Sequence, residues 1–314
     1  MASVQEQRLP VYADTSQRRR TRRKRFFSKY VVPWLFIAPI LLLHLVVVIG
    51  PSLAAFYYSL TDWSGIGPAE FVGLKNFQEL IFDDQNYRAA LQHNISWLLF
   101  FLTVPFTLAL VAAALLAQVK RGSMVFRTIM FIPYILPSVI IVSIWRNLLS
   151  PRMGVGAQLA NWGIPGFDRA FLGETSTALL TIAFIDNWHF WGFLMVLFLA
   201  AMQNIPPELY DAAKIDGANR RQEFLYITIP GILPTLSFML LMTGIWSFLV
   251  FDYVWLLTQG GPAGASEVMA TYLYKQAFNR FEAGYASAIG LSMSLFAGVI
   301  ISIFIFLRRR GWDI

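Results

Sequence analysis

Residues 204–234 read NIPPELYDAAKIDGANRRQEFLYITIPGILP. The segment leaves one apolar stretch, about 178–202, and enters the next at about 229. Pro206 and Pro207 suit a helix start, because the first turn of a helix has no internal acceptor for its N–H groups. Glu208 and Asp211 then fall where the helix dipole favours negative charge, and Gly217 suits the stop. The spacing predicts a short helix outside the apolar runs, with Leu209, Ala212, Ala213 and Asp216 on one face. Two adjacent alanines on that face let another surface come close. A second short helical stretch, about 219–226, runs into Pro230. Two readings of the first helix stand: a capped connector between longer helices, or a rigid, small-faced knob that fits a cleft on a cytoplasmic partner. A helix this short is marginal alone, so a partner or its own bundle holds it.

The rest of the chain puts that segment in a membrane protein. The 314 residues are 57% hydrophobic and 14% charged, with a mean hydropathy of +0.56. A soluble domain carries about 25% charged residues, so there are too few here to cover a water-facing surface. Apolar stretches free of Lys and Arg occur at about 33–58, 94–117, 128–145, 178–202, 229–257 and 285–307. Each is long enough to cross hydrocarbon. The first lacks a convincing small-residue cleavage site and reads as an uncleaved helix rather than a signal peptide. What remains suffices for loops and a tail, not for an added catalytic domain of ordinary size. The expected fold is all-α: a polytopic bundle of six transmembrane helices over 31–310, preceded by a basic tail over 1–30.

Residues 1–30 hold nine Lys/Arg and two acids, and the rest holds 16 of each sign. The run Arg18-Arg19-Arg20-Thr21-Arg22-Arg23-Lys24-Arg25 abuts the first apolar stretch. It reads as a positive-inside anchor on anionic headgroups rather than as a nucleic-acid patch. With the tail inside, 18 of the 25 cationic residues fall on the side of the 203–228 loop and seven on the other, which predicts that both termini are cytoplasmic. Pro133 and Pro137 predict a bend in the third stretch. There is no Cys, and three scattered His make no zinc set, so no metal site is expected. The chain has no G-x-x-x-x-G-K-[ST] run to cradle a nucleotide phosphate and no H-E-x-x-H.

The 204–234 segment resembles the EAA loop of permease subunits of binding-protein-dependent ABC importers. The family pattern reads E-A-A, three residues, G, nine residues, I-x-L-P. Here it reads Asp211-Ala212-Ala213, then Gly217, then Ile227-Thr228-Ile229-Pro230, with Asp for Glu and Ile for Leu. Asp216-Gly217-Ala218, Phe251-Asp252, Leu257-Thr258-Gln259-Gly260-Gly261-Pro262 and Gly284-Tyr285-Ala286 resemble the carbohydrate-uptake branch, the maltose-type and glycerol-3-phosphate-type permeases. The resemblance covers about residues 30–310 and implies the type I importer (MetI-like) permease fold. It implies that the 203–228 loop is a coupling helix seated in a groove of an ATPase subunit, through Glu208, Leu209, Tyr210, Asp211, Ala212, Ala213, Asp216, Gly217 and Ala218. The implied partners are a second homologous permease, two copies of the ATPase, an extracytoplasmic solute-binding protein and membrane lipid, with no nucleic acid. No cofactor is implied on this chain: ATP and Mg belong to the ATPase, so the chain is no enzyme. The implied location is a bacterial or archaeal cytoplasmic membrane.

Ionisable groups inside a span are functional candidates by default. Asp186, His189 and Phe193 lie at i, i+3 and i+7 in the fourth stretch, with Phe190 beside them. Thr243, Trp246, Ser247 and Val250 share one face of the fifth. The resemblance to maltose-type permeases runs without gaps from the fourth stretch through Pro262. It implies sugar-lining positions at these eight residues, although most residue types differ. The plainer readings are an internal Asp186–His189 pair, Thr243 and Ser247 bonded to their own helix, and Trp246 as an interface aromatic. Asp252 is expected at an outer gate. The stretches hold no Lys or Arg for an anionic cargo, whereas hydroxyl partners and flat aromatic faces suit a neutral di- or oligosaccharide or glycoside. The alternatives are glycerol-3-phosphate or a polyol in the same importer class, or an ion-coupled secondary transporter using Asp186, His189 and Asp252 as a proton relay.

Overall fold

The computed structural model describes residues 27–119, 121–164, 166 and 168–310. The Arg18–Arg25 run and Lys120 lie outside the described residues. The chain divides after Ala54 into two units. Helix α1 (Ser28–Tyr58) begins in the first, and its apolar side chains, Trp34, Phe36, Leu42 and Val46 among them, are exposed.

The second unit contains α2 (Gln85–Ala117), α3 (Ser123–Ile135), α4 (Ser138–Leu148), α5 (Val155–Asn161) and α6 (Ala178–Gln203). There follow α7 (Pro207–Ile215), α8 (Arg220–Glu223), α9 (Leu233–Leu249), α10 (Asp252–Leu257), α11 (Met269–Tyr274) and α12 (Ala283–Arg309). A small antiparallel pair, β1 (Thr61–Asp62) and β2 (Glu70–Phe71), sets Thr61 opposite Phe71 and Asp62 opposite Glu70. Among the described residues, five helices are long and apolar enough to cross a membrane, or six if α3 and α4 count as one broken span.

Two spans break, and a proline decides where the first does. Pro137 has no N–H and pushes Leu136 into extended backbone (φ −75°, ψ 134°), so α3 stops and α4 restarts with its axis turned by 98°. The expected 128–145 helix is therefore two helices. Pro133 stays inside α3, buried, and Pro137 is the breaker. The fifth span is interrupted as well: the chain leaves helical geometry at Val250 (φ −58°, ψ 126°) and Phe251, then resumes as α10.

The core forms chiefly where α2 lies along α6, around Phe101, Phe106, Ile182, Leu194 and Phe198. Helices α3 and α6 meet backbone to backbone: a Cβ built on Gly192 would stand 1.9 Å from the Met130 carbonyl oxygen. Buried Asn94 ties three elements together. Its amide donates to the Ser247 carbonyl (2.7 Å), and its oxygen accepts from the Met269 N–H (2.8 Å). At the N-terminus of α2, Asp84 caps the helix by accepting from the Tyr87 N–H (3.0 Å), and its second oxygen accepts from the hydroxyls of Tyr272 and Tyr285 (2.6 Å each). Burial pushes the Asp84 carboxyl up, but these bonds outweigh it and hold the group below its ordinary value.

Candidate functional site

The break between α9 and α10 opens onto a cavity of about 360 Å³. Helix α6 contributes Asp186, His189 and Phe190, and α9 with the break contributes Thr243, Trp246, Ser247 and Val250. Interrupted membrane helices place free backbone groups beside a cavity, where a ligand or neighbouring protein satisfies them. Asp252 and Tyr253, the first residues of α10, line the same cavity. Asp252, expected at an outer gate, thus shares one enclosure with Asp186.

The walls are aromatic. Tyr134 of α3 stacks on His189 (5.1 Å between ring centres) and on Phe193 (4.4 Å, 10° between planes). Phe190 meets Trp246 edge-on at 6.0 Å. From α2, Trp97 and Phe101 stack at 5.3 Å and also line the space. Phe193, expected as a lining residue, supports Tyr134 and is not itself part of the lining.

The polar groups divide between internal partners and none. Asp186 Oδ1 lies 3.9 Å from His189 Nδ1, with the two side chains 17% and 21% exposed. Ser247 donates to the Thr243 carbonyl (2.8 Å), the plainer of its two readings. Thr243 Oγ1 and the Tyr253 hydroxyl are buried without a hydrogen-bond partner among the described residues. Asp186 and Asp252 are the carboxylates of the lining, and no Lys or Arg lines it among the described residues. Such an enclosure offers acceptors, hydroxyls and flat rings to a polyhydroxylated guest and no counter-charge to an anion.

Trp97, Phe101, Tyr134 and Tyr253 were not anticipated from sequence. Trp97 and Phe101 stand four residues apart on one face of α2, a legible signal, but which helix that face meets is not.

The 203–228 connector is the second candidate element. Pro206 precedes α7, Lys214 pairs with Asp211 at 3.0 Å, and Gly217 (φ +77°) turns the chain with open space where a Cβ would stand. Glu208, Leu209, Asp211, Ala212, Asp216 and Gly217 are exposed, whereas Tyr210, Ala213 and Ala218 are half-buried. Tyr210 turns inward, its hydroxyl hydrogen-bonded to Thr228 Oγ1 at 2.9 Å. The outward strip is therefore Leu209, Ala212 and Asp216, with Ala213 turned partly to the bundle. Asn219 caps α8 by accepting from the N–H groups of Arg221 and Gln222 (3.0 Å each). Arg220 reaches Gln118, just past the end of α2, at 3.0 Å.

The model of the family described as "binding-protein-dependent transport system inner membrane component" matches residues 106–310. The probable ABC transporter permease protein YurN of Bacillus subtilis (strain 168) is 37% identical over 263 residues, 82% of this chain and 89% of YurN. The diacetylchitobiose uptake system permease protein NgcF of Streptomyces coelicolor is 33% identical over 303 residues, 92% of this chain and 85% of NgcF. A chain of the bacterial alginate ABC transporter, solved with an alginate pentasaccharide-bound periplasmic protein, superposes with a TM-score of 0.81 at 23% identity, covering 92% of this chain and 98% of that one. At that identity the likeness is one of fold.

Proposed function

We infer what this molecule does from one premise: the chain belongs to the family of binding-protein-dependent transport system inner membrane components. It is a multi-pass transport component with the importer-permease fold, not an enzyme. We propose that it forms half of the pathway of an ATP-driven sugar importer and that its cargo is a neutral di- or oligosaccharide or glycoside.

The observation that carries this reading is the cavity at the break of the fifth span. Its rings suit the C–H faces of a sugar, Thr243 and Tyr253 offer unmatched polar atoms to its hydroxyls, and Asp186, beside His189, adds carboxylate acceptors. An acidic or phosphorylated cargo would meet Asp186 and Asp252 with no cation among the lining residues. In the proposed assembly a homologous permease completes the pathway, two ATPase copies drive it, and an external binding protein delivers the sugar. Both termini are cytoplasmic. The exposed strip of α7 seats in the ATPase and transmits its closure, while Tyr210 anchors the helix to the bundle.

Two measurements test this. The cognate binding protein is screened against neutral glycosides and phosphate esters; affinity for phosphate esters alone refutes the cargo class. Uptake is then measured for Gly217→Val, whose side chain has room but an unfavourable backbone, at about 1–2 kcal/mol. Lost uptake with the chain still in the membrane supports coupling through α7. Unchanged uptake with no need for ATP favours an ion-coupled carrier that uses Asp186 and His189.

A further inference from the structure

A second cavity, about 370 Å³, opens beside the N-terminal end of α2. Gln118, beyond the C-terminal end of α2, bonds Arg220 of the coupling connector. The 33 residues of α2 span about 50 Å, so this cavity lies at the opposite end of the bundle from the connector. Its Asp84 side stands clear of lipid, while Tyr285 heads the apolar run of α12. The apolar run of α2 begins near Asn94, ten residues beyond Asp84, which puts Asp84 about 15 Å past the start of the apolar run. The headgroup layer is only about 5–8 Å deep on each side.

The lining is built of acceptors. Glu79, Asp83 and Glu282 are exposed around it, and none has an ion-pair partner among the described residues. Arg280 is its one cation among the described residues. Asp84 is already occupied by Tyr272 and Tyr285. The decisive group is Gln276. It is 1% exposed and lines this cavity, yet its side-chain oxygen has no hydrogen-bond partner among the described residues. A buried acceptor left unmatched is rare in native proteins and calls for a donor. A bare metal ion does not answer, since no group of three or more His, Asp or Glu side chains is placed to hold one among the described residues. The space, about 370 Å³, has ample room for a long side chain. Phe281, between Arg280 and Glu282, is held at φ +58° and is exposed, as is Phe278. A non-glycine residue in that conformation is strained, and such strain gathers at binding sites. Aromatic residues beside a charged pocket are the usual anchors of a protein interface.

We propose that this cavity receives a basic side chain, Lys or Arg, presented by the soluble protein that delivers the cargo. Gln276 accepts a hydrogen bond from it inside, and Glu79, Asp83 and Glu282 surround its charge at the mouth. The proposal rests on the importer reading and adds where, and by what chemistry, the delivery protein is gripped.

The test uses the assembled transporter in lipid nanodiscs with its binding protein. ATPase stimulation is titrated with binding protein at low and high salt. The combined variant Glu79→Gln, Asp83→Asn, Glu282→Gln is expected to raise the half-maximal concentration about tenfold and to flatten its salt dependence, with basal and saturated rates unchanged. Gln276→Leu, which removes the unmatched acceptor without opening a hole, is expected to weaken stimulation several-fold while keeping thermal stability. The proposal is overturned if both variants titrate like the parent, or if a chelator, or removal of phosphatidylethanolamine, reproduces the shift. A parent assembly that no binding protein stimulates would instead sink the importer reading.

Discussion

Replacing Gly192 by Ala isolates the contact that sets the aromatic wall. The added methyl carbon would stand 1.9 Å from the Met130 carbonyl oxygen and 2.8 Å from its carbon. Both are backbone atoms that no rotamer change can move. Reaching an ordinary separation of about 3.5 Å needs α3 and α6 to part by at least ~1.5 Å. Overpacking of this kind costs about 1–3 kcal/mol, and a backbone obstacle puts Gly192→Ala at the upper end, near a hundredfold in the folding equilibrium. The shift also carries Tyr134 away from His189 and Phe193, which it now meets at 5.1 and 4.4 Å. The variant should therefore unfold at lower temperature in detergent and transport poorly at sugar concentrations that saturate the parent. Gly298 provides the control, because its Cβ would meet nothing within 4 Å. Ala there should be neutral or stabilising by a few tenths to about 1 kcal/mol. If Gly192→Ala matches Gly298→Ala in both melting and uptake, the close approach of α3 to α6 is not what holds the cavity wall.

Three further outcomes follow from other contacts. Asn94→Leu strands the Ser247 carbonyl and the Met269 N–H in the interior, and should lower stability by about 1–3 kcal/mol for each group left unmatched; chemical denaturation in detergent reads this. Because the Asp84 carboxyl is held low in the folded protein, its contribution is complete above about pH 4 and is lost as pH falls through the lower folded value. Melting measured from pH 7 to pH 3 should show that acid limb in the parent and a flatter one in Asp84→Asn. Tyr210→Phe removes the bond to Thr228, worth about 1 kcal/mol, and should loosen α7 and lower the sugar moved per ATP without changing insertion into the membrane.

Much of this architecture is legible in one dimension because membrane crossing is a property of local composition. The runs at 178–202 and 285–307 correspond to helices Ala178–Gln203 and Ala283–Arg309. The short helix at Pro207 is legible too, since its start and stop depend on Pro206, Pro207 and Gly217 alone. The breaks are harder. Pro137 announces a disturbance, but a 98° turn rather than a gentle bend depends on whether neighbours cover the freed carbonyls. The interruption at Val250–Phe251 has no proline or glycine to announce it.

The walls of the cavity lie beyond such reading. Periodicity puts Asp186, His189 and Phe193 on one helix face, yet in the folded chain His189 lines the space while Phe193 sits behind Tyr134. Ser247 and Thr243 share a face as well, but one spends its hydrogen on its own helix and the other keeps an unmatched oxygen.

Residue order alone determined that this chain is a helical membrane protein and where several of its long helices and the capped exposed helix fall. Those features come from hydrophobicity and backbone chemistry within a few turns of helix. Only the tertiary structure decided that Trp97, Tyr134 and Tyr253 close the cavity, that Asp252 shares it with Asp186, and that Tyr210 faces inward. Those facts depend on how one helix face is rotated and tilted against another. That is settled by close contacts such as Gly192 on Met130, between residues that no local pattern links.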